Sequence, residues 1–225
     1  MLAPSDYEAI LLSLKVGAAA TLLSLPLGFG AAALLAYGKF RGKTIVEVFV
    51  NLPLTLPPVV VGYLLLLLLG ESGPLGPLFR KLGFRLIFTW RAAVIASMVV
   101  GFPLLVRAIR LSMESIDPAL PRTARTLGAT RLDALFSVVV PLSIRGILAG
   151  AALMFARSLG EFGATVLVAG NIPGVTQTLP LAIYDYAASP GGEGSAGALC
   201  VVSVAISVGV LFAHEWIARR AGREG

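Results

Sequence analysis

Leu120–Ser143 reads LPRTARTLGATRLDALFSVVVPLS, a polar, Arg-rich, Gly-punctuated stretch between two long apolar runs. Its surroundings decide the fold class. The chain has 225 residues, of which 57% are hydrophobic and only 13% charged, whereas soluble domains carry about 25% charged residues. A core this apolar lacks a matching polar surface unless lipid supplies the outside. We therefore expect an all-α integral membrane protein with the Arg-rich stretch outside the bilayer, against a partner.

Hydropathy predicts about five transmembrane helices, over residues 9–37, 45–69, 92–111, 143–169 and 196–217. Residues 1–8 form an external N-terminal segment, and Ser5 with Glu8 supplies an S-x-x-E capping box for the first helix. With no basic n-region or small-residue cleavage site, that helix reads as retained. Pro53, Pro57 and Pro58 kink or break the second span, and Pro103 lies inside the third. Residues 218–225 form a tail.

Loop charge orients the chain. Lys39, Arg41 and Lys43 follow the first span, Arg107, Arg110, Arg122, Arg125, Arg131 and Arg145 surround the loop after the third, and Arg219, Arg220 and Arg223 follow the fifth. Placing these in the cytoplasm puts the N-terminus outside and the C-terminus inside. Residues 171–194 contain no Lys or Arg and fit the outside, whereas Arg80, Lys81, Arg85 and Arg91 run against the bias. The net charge of +6 thus reads as a topology signal, with no nucleic-acid partner implied.

The stretch 117–142 is a structured loop. Asp117 precedes Pro118 as a cap, a short helix runs to about Leu127, and Gly128 ends it in the left-handed conformation. Thr130 and Asp133 then form a T-x-x-D box that starts the next helix, which Pro141 and the apolar run after Ser143 carry into the membrane. Two capped helices meeting at a Gly elbow make a rigid protrusion. Ala119, Leu120, Ala124 and Leu127 are its apolar knobs and Arg122 and Arg125 its flanks, a surface suited to a partner groove.

Other motifs carry no chemistry of their own. Gly42-Lys43-Thr44 ends like a P-loop, but its first Gly would fall at Tyr37 and no strand precedes it. The chain therefore has no nucleotide site, and any ATP-driven step belongs to another polypeptide. His214 stands alone, Ser158 lacks a base, and Cys200 is the only cysteine and reads as a small buried hydrophobe. No catalytic or metal site is expected. Arg157 and Glu161, at i and i+4 near the middle of the fourth span, share a helix face. A charge at the bilayer centre costs on the order of 3 kcal/mol, so the pair must face protein or water. It is either a self-neutralised structural pair or the wall of a polar pathway. Gly160 and Gly163 would let the helix bend or another backbone approach, and Pro57 and Pro58 would bend the opposite wall.

The segment Ala124-Arg-Thr-Leu-Gly128-Ala, followed after nine residues by Val138-Val-Val-Pro141, resembles the EAA loop of ABC importer permeases, E-A-A-x3-G-x9-I-x-L-P. Ala124, Gly128 and Pro141 are in register, while Arg122-Thr123 replaces Glu-Ala. The stretches 52–63, 102–110, 156–165, 171–174 and 176–180 are similar to the molybdate permeases of the oxyanion branch. The resemblance implies a type I ABC importer permease fold in a bacterial or archaeal plasma membrane. It implies that Leu120, Arg122, Ala124, Arg125, Leu127, Gly128 and Pro141 couple to an ATPase. The implied partners are a second copy of the chain, two cytoplasmic ATPases that bind ATP and Mg, and an external oxyanion-binding protein. Permeases for tungstate or sulfate are alternatives. An ion-driven secondary transporter, which would usually show internal repeats, and a non-transporting scaffold are the rivals from other classes.

Overall fold

The computed structural model describes residues 3–81, 83 and 85–221, except for the side chains of residues 214 and 217–221. The readings of His214 and of the tail arginines Arg219, Arg220 and Arg223 therefore lie outside the described residues. All regular structure described is helical: α1 (Pro4–Tyr37), α2 (Lys43–Thr55), α3 (Pro58–Leu69), α4 (Gly76–Lys81), α5 (Trp90–Glu114), α6 (Ala119–Thr126), α7 (Arg131–Ala134), a π-turn (Leu135–Val139), α8 (Val140–Leu142), α9 (Ile144–Leu159), α10 (Gly163–Val168), α11 (Leu179–Ala188) and α12 (Glu193–Ala221). Three helices are long and apolar enough to cross a membrane, and two bent pairs bring the number of spans to as many as five.

The first helix starts earlier than the 1–8 segment and the Ser5–Glu8 box allow. Pro4 opens α1, and Asp6 takes the capping role by accepting the Ala3 N–H at 2.7 Å. Asp6 is buried because it also accepts the Tyr186 hydroxyl at 2.9 Å, a contact invisible to local sequence. That hydrogen bond holds the Tyr186 phenol above its ordinary pKa. α1 has 34 residues, on the order of 50 Å at 1.5 Å per residue. It exceeds the ~30 Å hydrocarbon layer and must tilt or project.

The second span is not one kinked helix. α2 and α3 meet at 114°. Pro53 stays inside α2, and the break falls at Leu56–Pro57 because each of those residues precedes a proline and is held extended, with ψ of 141° and 135°. The fourth span, expected as one helix over 143–169, is broken once inside those bounds, and a further bend falls at its start. The segment 131–142 meets α9 at 69°, and α9 ends at Leu159, before α10. The stretch 171–194, read as a loop, contains α11. That helix is held to α1 by the Tyr186–Asp6 bond and by the Leu179 N–H donated to Ser13 Oγ at 2.7 Å.

α5 is the spine of the bundle and packs against α1, α9, α10, α2 and α3. Small residues set these approaches. A Cβ on Gly28 would lie 2.6 Å from Leu105 Cδ2, and one on Gly146 would overlap the Ser112 side chain. α2 buries none of its residues. It is tied to the spine by Arg110 Nη1 to Glu47 Oε1 at 2.8 Å, while Arg110 Nε reaches Glu114 at 2.6 Å.

α3 and α10 meet backbone to backbone, where a Cβ on Gly62 would lie 2.7 Å from the Ala164 Cα. Backbone cannot yield as a side chain can. We expect Gly62→Ala to destabilise the protein by about 1–3 kcal/mol through overpacking. Gly30→Ala, where nothing lies within 4 Å of the new methyl, should be neutral or slightly stabilising. Thermal unfolding in detergent compares the two.

Candidate functional site

Two regions hold the candidate residues, one at the end of the bundle and one inside it, where the breaks of the second and fourth spans meet. The first is α6 with its elbow. Asp117 Oδ1 accepts the Ala119 N–H at 2.8 Å and starts the helix. At the other end the Ala129 N–H reaches Ala124 O and the Gly128 N–H reaches Arg125 O, both at 3.1 Å. These are the paired six-to-one and five-to-two bonds of a Schellman ending, which requires a left-handed residue; Gly128 supplies it at φ +100°.

The T-x-x-D box follows at once. The Asp133 N–H donates to Thr130 Oγ1 at 3.2 Å, and the Thr130 N–H donates to Asp133 Oδ2 at 3.0 Å. The N–H groups of residues 127–130, 133 and 134 thus all have partners within the turn and its two short helices, which stiffens the elbow. Arg122, Arg125 and Gly128 are exposed and Ala124 is half-buried, while Leu120 is 48% and Leu127 84% exposed. Leu132 (66%) and Phe136 (64%) extend this apolar surface past the elbow. The sequence reading missed both, although their i,i+4 spacing beside the box was the available signal.

Pro141 lies in α8, two residues before the bend at Ser143. Proline removes an N–H and crowds the carbonyl four residues back. The helix accommodates this by widening into the π-turn just before it, closed by the Val140 N–H to Leu135 O.

The second region is the double break. The Arg157–Glu161 pair forms, with Arg157 Nη2 2.9 Å from Glu161 Oε2, but not on one continuous helix face. α9 stops at Leu159, and Glu161 lies in the break at 2% exposure. Its other oxygen, Oε1, accepts the Ala164 N–H at 2.8 Å and so closes the first turn of α10. The Arg157 side chain keeps 29% exposure, so the pair is buried at the carboxylate end and open at the guanidinium end. Gly163 is pressed against the other break: a Cβ there would lie 3.0 Å from Pro58 Cβ and 3.2 Å from the Val59 N. Pro57 caps α3, and Gly160 has open space around it. The structure therefore gathers Pro58, Gly163 and Glu161 about one point and leaves Arg157 and Gly160 at its accessible edge. Phe162, inside the break, meets Tyr184 of α11 with ring centroids 5.2 Å apart, a contact between distant segments that no local pattern signals.

The family described as binding-protein-dependent transport system inner membrane component matches residues 24–223. The chain is 48% identical to the molybdenum transport system permease protein ModB of Escherichia coli strain K12, over 99% of this chain and 100% of that protein. It is 47% identical to ModB of Haemophilus influenzae, covering 96% and 94%, and 42% identical to the putative molybdenum permease YvgM of Bacillus subtilis, covering 92% and 91%. Among solved structures it resembles a chain of the MetNI methionine ABC transporter, with TM-score 0.71 at 18% identity over 96% of this chain and 94% of that one. It also resembles a chain of a bacterial alginate ABC transporter in complex with its periplasmic protein, with TM-score 0.72 at 16% identity over 97% and 80%. At these identities the structures establish the shared fold, that of ABC importer membrane subunits. On these matches the chain belongs to the family of binding-protein-dependent transport system inner membrane components.

Proposed function

We propose that this protein is the membrane-spanning permease of an ATP-driven importer for molybdate. The observation that carries the reading is the 48% identity to a molybdenum permease along the whole of both chains. In this reading the chain pairs with a second copy and is fed by an external oxyanion-binding protein. Two cytoplasmic ATPases, which hold the ATP and Mg, drive it. The N-terminus is outside and the C-terminus in the cytoplasm.

The coupling surface is α6 with its elbow. Leu120 and Leu127 enter a groove of the ATPase, Arg122 and Arg125 flank it, and the Gly128 elbow passes the displacement to α7. Pro141 and the π-turn then carry it towards the bend at Ser143 and into α9. Rigidity supports this role, because a loop whose hydrogen bonds are closed internally moves as a unit. α9 carries Arg157 in its last turn and ends at the break, so a shift of α9 alters the accessible edge formed by Arg157 and Gly160. There a guanidinium neutralised by Glu161 presents an anion with neither strong repulsion nor a trap. The transport step is a rigid-body exchange between inward-open and outward-open arrangements.

Uptake of labelled molybdate by membranes carrying the permease, its ATPase and its binding protein tests the function. Tungstate and sulfate serve as competitors. Molybdate uptake that needs ATP supports the assignment, and uptake that sulfate saturates while molybdate does not compete overturns it.

Two further outcomes are expected. Gly128→Val forces a β-branched residue into φ +100°, where nothing crowds the side chain but the backbone is strained. It should reduce uptake about five- to thirtyfold, the equivalent of the about 1–2 kcal/mol that a left-handed conformation costs a non-glycine residue, without loss of membrane insertion. Arg125→Glu should act likewise. Arg157→Ala leaves the Glu161 carboxylate buried without its counter-charge. We expect it to lower stability by about 2 kcal/mol, below the 3–5 of a fully buried pair because the guanidinium is partly solvated. Adding Glu161→Gln, which keeps an acceptor for the Ala164 N–H, should restore part of the melting temperature. If the double variant is stable yet still does not transport, Arg157 acts on the anion directly.

A further inference from the structure

A cavity of about 670 Å³ lies between the end of α3 and the start of α5, and the transport cycle above gives it no role. Leu66, Leu69, Phe79 and Leu86 supply apolar wall, and Arg80 and Arg85 also line it. Neither guanidinium is ion-paired among the described residues. Glu71 is in the lining as well and pairs with neither, so the lining carries a net positive charge.

The cavity's place in the fold is the membrane rim. Leu66 and Leu69 close the apolar run of α3, and α5 opens at Trp90. The Lys15 ammonium lies 4.0 Å from the centroid of the Trp90 ring. Trp beside a cation marks the level where hydrocarbon gives way to headgroups. The basic cluster of Arg80, Lys81 and Arg85 is the one that runs against the charge bias of the loops. Topology therefore does not account for it, and a ligand would.

An apolar chamber at headgroup level, with two unneutralised guanidiniums, complements a molecule with a hydrocarbon tail and a phosphate. The volume is in the range of small-ligand sites. An acidic peptide would bring backbone N–H and C=O groups that need partners inside. The wall offers few, because its own are engaged: the Gly76 N–H reaches Gly73 O at 3.1 Å, the Phe79 N–H reaches Leu75 O at 3.2 Å and the Phe88 N–H reaches Val168 O at 2.8 Å. We infer that this cavity holds an acyl chain of an anionic phospholipid with its phosphate on Arg80 and Arg85.

Phe88 gives the site a consequence. It lines the cavity at φ +58°, a backbone conformation a bulky side chain adopts only when its surroundings enforce it. Its N–H bond ends on Val168, the last residue of α10. The bound lipid thus supports the wall on which the short helix of the double break is hung. None of this depends on which oxyanion is carried.

The test uses the full chain in phosphatidylcholine nanodiscs doped with phosphatidylglycerol. The protein is then extracted in detergent, and retained phosphatidylglycerol is counted by native mass spectrometry. Wild type should retain it. R80Q/R85Q should retain at least about tenfold less, each guanidinium contributing about fivefold, while R80K/R85K keeps most of it. Leu66→Asn/Leu86→Asn, which makes the apolar wall polar and leaves both charges, should lose it as well. Melting temperatures in phosphatidylcholine alone check that the variants fold. Equal retention by wild type and R80Q/R85Q overturns the proposal, as does full retention by Leu66→Asn/Leu86→Asn. Displacement by soluble glycerol phosphate as readily as by a short-chain phosphatidylglycerol also overturns it, because the cavity would then be a headgroup site without a tail. Unchanged lipid retention in R80Q/R85Q with loss of binding-protein association would instead make it a protein-docking surface.

Discussion

The rest of the structure depends on one constraint: a helix that stops inside a membrane must find partners for the backbone groups it frees. This chain stops two spans in mid-course, at Leu56–Pro57 and at Gly160–Phe162. The first break is tolerable because prolines have no N–H to satisfy. The second is closed by Glu161, whose carboxylate takes the Ala164 N–H while Arg157 offsets its charge. A lone carboxylate there would be costly to bury, so capping and neutralisation have to come together. The two breaks then pack on each other through Gly62, Gly163 and Pro58, whose close approach leaves no room for a side chain.

The same logic, applied outside the membrane, makes the elbow. α6 and α7 are short, and neither would be stable as an isolated helix in water. What holds them is the Schellman ending at Gly128 and the reciprocal box at Thr130 and Asp133, back to back. Exposed apolar side chains are therefore carried on a stiff frame, and the frame leads through the π-turn directly into α9. The end of the bundle and its interior are two ends of one covalent path.

Much of this was legible locally. The caps at Asp117, Gly128, Thr130 and Asp133 could be read because they involve residues at most a few positions apart, and their hydrogen bonds are dictated by side-chain length. The pairing of Arg157 with Glu161 was legible as a spacing, but its setting was not. The tandem prolines signalled a bend without saying how sharp, and Pro53, which looked equivalent, stays within its helix. Asp6 displaced Ser5 and Glu8 as the first cap because Tyr186, far along the chain, completes its environment. The helix α11 was missed for a related reason, since its ends are fixed by Ser13 and Asp6 of α1.

The sequence by itself determined the apolar spans and the elbow, because hydropathy and capping act over a few residues. Only the tertiary structure decided where the spans break, which side chains close those breaks and which charges face one another. Those outcomes turn on the contact between α3 and α10 and on a carboxylate whose partners lie on both sides of a gap, and neither is encoded in the order of residues on any one segment.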